Sequence, residues 1–157
     1  MKKTTDVAAL LLRIAAGLIF LPHGWSKVFG EGGPAAFAAD LPSFGLPPFL
    51  GYVAAYAECF GAMLLIAGFL ARLDAFLLAC TMAGAMYAVK IPDALAEIPP
   101  NAIRFFAILR AIELELALFT ICVALMLIGA GRLSLDHALR IEERLFKKKT
   151  AAEAAAV

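Results

Sequence analysis

Long uninterrupted apolar runs are missing from this 157-residue chain. An easy transmembrane helix needs about 18 or more consecutive apolar residues, and the longest uncharged stretches, 41–57, 116–131 and 75–89, are all shorter. Charge is scarce as well. Asp, Glu, Lys and Arg make up 17% of the chain, against about 25% in ordinary soluble domains. A net charge of +1 leaves no basic face for a nucleic acid partner. The three cysteines, Cys59, Cys80 and Cys122, are far apart and form no C-x-x-C. That removes a disulfide-generating dithiol centre, and they read as small apolar packing residues. Only two histidines are present, His23 and His137, and no His, Cys and carboxylate cluster has metal-ligand spacing. No metal and no covalently held cofactor is expected. Phosphate-binding loops, dinucleotide fingerprints and nucleophile elbows are missing too.

What the chain has is apolar residues, 63% of the total, with a mean hydropathy of +0.87. Disorder is excluded by that fraction. A chain of 16.7 kDa exposes more surface than so few charges can cover, so its solvent is the lipid bilayer. The apolar runs are broken by single charges. Charges inside a span are expensive and usually functional, which makes them the informative residues. Allowing one or two per span gives four segments: 7–25 with Arg13, 52–71 with Glu58, 75–89 (extendable to 73–91), and 111–128 with Glu113 and Glu115 near its start. Three reach about 27–30 Å as helices, and the third is short or tilted.

The expected fold is an all-α membrane protein, a four-helix transmembrane bundle over residues 1–136. A basic, Ala-rich cytoplasmic tail follows over 137–157, with a short amphipathic helix expected across 133–149. Pro47 and Pro48 precede the second span, where proline is tolerated in the first turn. The short link at 70–74 makes spans two and three antiparallel neighbours. Lys and Arg counts set the orientation. With both termini inside, nine basic residues are cytoplasmic (Lys2, Lys3, Arg72, Arg132, Arg140, Arg144, Lys147, Lys148, Lys149) and four are outside (Lys27, Lys90, Arg104, Arg110). Lys2 and Lys3 also open like a signal peptide, but Arg13 interrupts the apolar region and residues 22–25 are no small-residue cleavage site; an uncleaved first span is expected.

Arg13, Gly17, Phe20, Gly24 and Lys27 step by four, three, four and three along the first span and share one helix face. Glu58, Gly61, Leu65, Gly68 and Arg72 repeat the pattern in the second. Small residues on such a face let helices approach closely, and for Gly61 and Gly68 the packing role is preferred. In this topology His23, Lys27, Glu58, Lys90, Glu113 and Glu115 converge on the outer half of the bundle. Arg13 lies alone in the inner half, with Arg72, Asp74 and Asp136 as the nearest charges. Glu58 is the best candidate for function. A carboxylate in lipid must pair or take up a proton, and Lys27 or His23 could supply the cation. A buried ion pair that only fixes helix register is an equal reading. Glu113 and Glu115 point to different sides of a helix, and Glu115 is favoured because it lies deeper. His23 is a candidate proton carrier, while Trp25, the only tryptophan, reads as an interfacial anchor.

The stretch from Leu12 through Arg13, Gly17, Phe20, His23, Gly24 and Trp25 to Lys27 resembles the opening signature of the DoxX family of small bacterial membrane proteins. Glu58-Cys59-Phe60-Gly61, with Ala67-Gly68 and Arg72, resembles its second-helix signature. Residues 129–136, with Gly129, Gly131, Arg132, Ser134 and Asp136, resemble its closing signature; residues 94–110 show no sharp match. The resemblance implies a four-helix bundle in the bacterial inner membrane. It also implies quinone-linked oxidation, with quinone as the cofactor and a redox partner subunit or oxidative-stress complex around it. If this chain is an enzyme, it is then a quinone-linked oxidoreductase subunit that depends on a partner. Two other readings share the same polar face: a small-molecule permeation or efflux factor, and a scaffold that binds no ligand. The glycine seams serve packing within one bundle or between copies in a homo-oligomer.

Overall fold

The computed structural model describes residues 3–97 and 103–141, and every regular element among them is helical. Helix α1 (Lys3–Phe29) is followed by the short α2 (Gly33–Asp40) and a 3₁₀ turn (Leu41–Phe44). Two long helices come next, α3 (Phe49–Ala67) and α4 (Ala71–Glu97). Helix α5 (Arg104–Ala111) meets α6 (Glu113–Ile128) at a 63° bend, and α7 (Leu135–Ala138) closes the described chain. Helices α1, α3 and α4 are long and apolar enough to cross a bilayer, and the bent pair makes a fourth crossing if it counts as one span. The chain is an all-α membrane protein. Of the amphipathic helix expected over 133–149, the described part forms only the short α7, and residues 142–149 lie outside the described residues.

The spans run longer than the hydropathy breaks indicate. Lys3 to Phe29 is about 40 Å of helix because Asp6 and Arg13 are buried rather than terminal. The third span, expected to be short, continues to Glu97 despite Pro92. A proline ring clashes with the carbonyl four residues back. Here a π-turn at Met86–Lys90, covering the residue four before Pro92, widens the backbone at that place. A second π-turn, Ala57–Gly61, interrupts α3, so that Glu58 and Cys59, adjacent in sequence, are both buried. The α6 segment alone is about 24 Å long, shorter than a typical hydrocarbon core.

Packing relies on small residues. The core gathers Ala16, Ala62, Ala71, Ala75 and Ala79 with Phe20, Leu65, Leu78, Leu118 and Leu125, which suits helices that must approach closely in lipid. Helix α1 packs along α3, and α4 packs along α6. The closest approach of one helix backbone to another is at Gly24, where an added Cβ would sit 2.2 Å from the Cys59 amide nitrogen. Gly17 is similar, with Ile66 Cγ1 at 2.3 Å. Gly61 differs: a Cβ there would meet Leu78 at an ordinary 3.8 Å.

The end of the bundle that holds the α3–α4 turn is a polar clasp. Gly68 takes the left-handed conformation that ends α3, and any side chain there would strike the Arg13 guanidinium. Arg13 is fully buried and donates to the backbone carbonyls of Ile66 and Leu133. The nearby charges named from the sequence do not receive its hydrogen bonds. Instead, the Asp136 carboxylate accepts from the Leu70 and Ala71 amides at 2.7 and 2.9 Å, satisfying donors at the start of α4. The Asp136 amide donates to the Gly68 carbonyl at 2.9 Å. Asp6 accepts from the Arg132 amide at 2.9 Å, and Arg72 donates to the Met126 carbonyl at 2.6 Å. Carbonyl oxygens near the ends of α3 and α6, and that of Leu133 in the link to α7, thus accept from the arginines.

The glycine contacts give a direct test. Gly24→Ala is expected to destabilise the protein by about 1–3 kcal/mol through overpacking against backbone. Gly61→Ala is expected to be neutral or to stabilise by up to about 1 kcal/mol through helix propensity. Thermal unfolding in one detergent checks both; equal losses would contradict the packing described.

Candidate functional site

At the opposite end from the clasp, helices α1, α3, α4 and α6 line a pocket of about 450 Å³. Its wall is mostly apolar. Phe20 comes from α1, Leu50 and Val53 from α3, Leu77 and Met82 from α4, and Leu114 and Leu118 from α6. Phe37 of α2, Leu41 and Phe44 of the 3₁₀ turn, and Leu46 also line it. Such a cavity, apolar with a few polar groups, has the size and character of a small-molecule site.

The polar groups arrive by identifiable steps. Gly24 brings the backbone of α1 against that of α3 at Glu58 and Cys59, and Lys27 lies one turn further along α1. The π-turn presents Glu58 on that side. Lys27 Nζ is 2.6 Å from Glu58 Oε2, with the side chains 24% and 3% exposed. The same ammonium lies 4.5 Å from the Phe37 ring centroid, a cation–π contact that ties α2 to the pair. Lys90, in the second π-turn, sits 3.5 Å from Glu115 Oε1, with exposures of 47% and 13%. Both pairs border the pocket. An ion pair held in an apolar wall keeps its charge at a low net cost only while both partners remain.

His23, Lys27, Glu58, Lys90 and Glu115 all line the pocket. Glu113 does not: it is exposed, because residues two apart on α6 face different sides of the helix. His23 is exposed, while its neighbour Gly24 is buried against α3. Trp25 lies against Phe29, ring centroids 4.4 Å apart and tilted by 42°, and is exposed. Arg13, Gly68, Arg72 and Asp136 belong to the clasp at the other end, and Gly17 and Gly24 to the α1–α3 seam. Among the described residues no group of three or more His, Cys, Asp or Glu is placed to hold a metal ion.

Sequence reasoning missed the α2 segment and its contribution of Phe37, Leu41 and Phe44. The signal was there: a connection between spans is expected to be polar, and residues 34–50 carry one charge, Asp40, among many apolar side chains. Cys80 was also read only as packing, yet it is exposed and lines the pocket, unlike the buried Cys59 and Cys122.

Helices that cross a bilayer around an apolar, ion-pair-lined pocket define a polytopic membrane protein with a candidate ligand site. The family follows from comparison: the DoxX family model matches residues 8–91, and the chain belongs to that family. The match covers the α1 stripe, Glu58 and Lys90, and stops before the closing segment, whose role in the clasp rests on geometry. A Bacillus subtilis (strain 168) protein named "Putative oxidoreductase CatD" is 40% identical over 91 residues, 58% of this chain and 66% of that protein. An Escherichia coli (strain K12) protein named "Inner membrane protein YqjF" is 32% identical over 75 residues, 48% of this chain and 55% of that protein. The matched region thus spans just under two thirds of the first relative and about half of the second. No solved structure matches.

The two ion pairs should respond differently to truncation. Lys27→Ala leaves a 3% exposed carboxylate unpaired and is expected to cost about 3 kcal/mol or more. Lys90→Ala breaks a far more exposed pair and should cost under about 1 kcal/mol. A double-mutant cycle of Lys27→Met with Glu58→Gln, read by thermal unfolding, should recover much of the first loss; simple additivity would refute the pairing.

Proposed function

We propose that this protein is a quinone-interacting membrane subunit of a redox system in the bacterial inner membrane. The observation that carries the reading is an apolar pocket of about 450 Å³ bordered by two ammonium–carboxylate pairs and a histidine. The oxidoreductase name of one relative and the inner-membrane name of the other agree with it.

The residues present fit a quinone head. A quinone offers carbonyl acceptors on an otherwise apolar ring, and this wall supplies apolar contact plus ammonium donors at Lys27 and Lys90. When bound, a quinone supplies two-electron, two-proton redox capacity that none of the side chains has. In this arrangement the chain's own residues bind, orient and handle protons. Lys27 and Lys90 donate hydrogen bonds to oxygen. Glu58 and Glu115 hold those ammonium groups in place. His23, exposed beside the pocket, is suited to exchange protons with the aqueous edge. In this reading the electrons are exchanged with a redox partner subunit.

A permeation path has less support. Beyond the pocket the interior is closed by the Ala- and Leu-rich core, and Arg13 at the far end is engaged by carbonyls and by the close approach of Gly68.

The test is purification in mild detergent, extraction for quinone, and titration with a soluble quinone, comparing the parent with Lys27→Ala and Glu58→Gln. Bound quinone in the parent and about a tenfold or greater loss of affinity in the variants, the scale of one charge-assisted hydrogen bond, is expected. No quinone binding, with variants changed only in stability, would overturn the reading in favour of a scaffold. The same proposal places both termini in the cytoplasm and the pocket at the outer face. A fluorescent reporter fused after Val157 should then mature in the cytoplasm; activity of an exported phosphatase fused there would reverse the orientation.

A further inference from the structure

A ligand must reach the pocket, and three of its sides are closed. Helix α2 and the 3₁₀ turn roof it, with Phe37 held over Lys27. Helix α1 forms one wall through Phe20, and α6 another through the buried Leu118. The fourth side lies between α3 and α4. These two helices pack from their connecting turn up to the α3 π-turn, but Phe49–Tyr56 packs chiefly on α1 and α2 instead. Above the π-turn the pocket is lined across this gap by Ala54 and Ala57 on α3 and by Cys80, Gly84 and Ala85 on α4.

Gly84 is the telling position. Glycine inside a helix costs about 1 kcal/mol relative to alanine, and in membranes it is usually justified by a neighbouring helix packed against it. No such neighbour exists here: a Cβ on Gly84 would find nothing within 4 Å. The space beside it is open and belongs to the pocket.

We propose that this slot between α3 and α4 is a lateral portal. The ligand enters from within the bilayer, and it is an amphiphile whose apolar chain lies along Ala54, Ala57, Gly84 and Ala85 while its polar head turns toward the ion pairs. The head placement rests on the ligand reading above; the chain placement rests on the slot itself. Drawing a chain through the aqueous roof would expose it at about 0.8 kcal/mol per methylene. Sliding in from the acyl region leaves that chain in apolar surroundings throughout.

The test uses the full chain in phosphatidylethanolamine–phosphatidylglycerol nanodiscs. A long-chain fatty acid with an alkyl diazirine near its end is photolysed and its insertion mapped by mass spectrometry. Insertion at pocket residues such as Glu115 and Cys80 is expected, with the lipid-exposed Leu18 and Leu127 as internal standards. Gly84→Leu starts a side chain from a Cβ with nothing within 4 Å; by narrowing the slot it should cut pocket insertion about tenfold, roughly one energetic decade, while the standards stay constant. It should also weaken a decyl-tailed quinone more than a tail-less one. Ala85→Leu is the second variant if Gly84→Leu fails to fold. Insertion confined to the outer faces, or unchanged in a folded slot variant, overturns the portal. If insertion behaves as expected while no quinone binds the parent, the portal stands and the quinone reading falls.

Discussion

The backbone contact at Gly24 is the constraint on which the site end of the bundle depends. Only a residue without a side chain lets α1 touch the main chain of α3 at Glu58 and Cys59. That approach sets the distance between Lys27 and Glu58, and at 2.6 Å the pair forms a charge-assisted hydrogen bond within an otherwise apolar wall. Without it the carboxylate would face a gap or lipid, and its charge would be hard to keep. The pair in turn anchors Phe37, and Phe37 holds the roof segment α2 over the pocket. One missing Cβ therefore propagates through an ion pair and a ring contact to the closure of the cavity.

Charge is handled in opposite ways at the two ends. In the clasp, charged side chains meet main chain: Arg13 and Arg72 donate to backbone carbonyls, and Asp136 and Asp6 accept from amides. Those bonds satisfy groups that a bilayer cannot solvate, and they join segments 68–71 and 129–136 to α1. At the pocket end, charged side chains meet each other across a cavity. A side chain bonded to backbone is committed to the fold. An ion pair beside open volume can exchange its partner for a ligand group, which is why chemistry is sought there and not around Arg13, although Arg13 is the more deeply buried charge.

Much of this was legible from residue spacing. The stripe from Arg13 to Lys27 followed from steps of three and four in a helix, and the convergence of Lys27, Glu58, Lys90 and Glu115 followed from counting helix turns in an up-and-down bundle. The two π-turns were not legible. A widened turn is a compromise between local hydrogen bonding and tertiary contact, and nothing in Ala57–Gly61 or Met86–Lys90 marks it locally. The continuation of α4 through Pro92 was not legible either, because the clash of a proline with the preceding turn is a local rule, whereas its accommodation by a nearby π-turn is not. Gly68 looked like a seam residue, yet its left-handed backbone and its contact with Arg13 are features of a turn.

The roof shows why a pocket is harder to read than a bundle. Spans announce themselves through hydropathy because each must satisfy the bilayer alone. A cavity exists only where several elements fail to fill the space between them, so its signature is distributed. Here it consists of an apolar connection where a polar one was due, a short α6 that bends away at Ile112, and a glycine on α4 with no neighbour. Each is a small departure from good packing. Their coincidence around Lys27–Glu58 and Lys90–Glu115 makes them one feature. A bundle selected only to pack would place alanine at position 84 and gain stability, because nothing lies within 4 Å of the added Cβ. The unfilled position is therefore better explained by what passes it than by what holds the helices together.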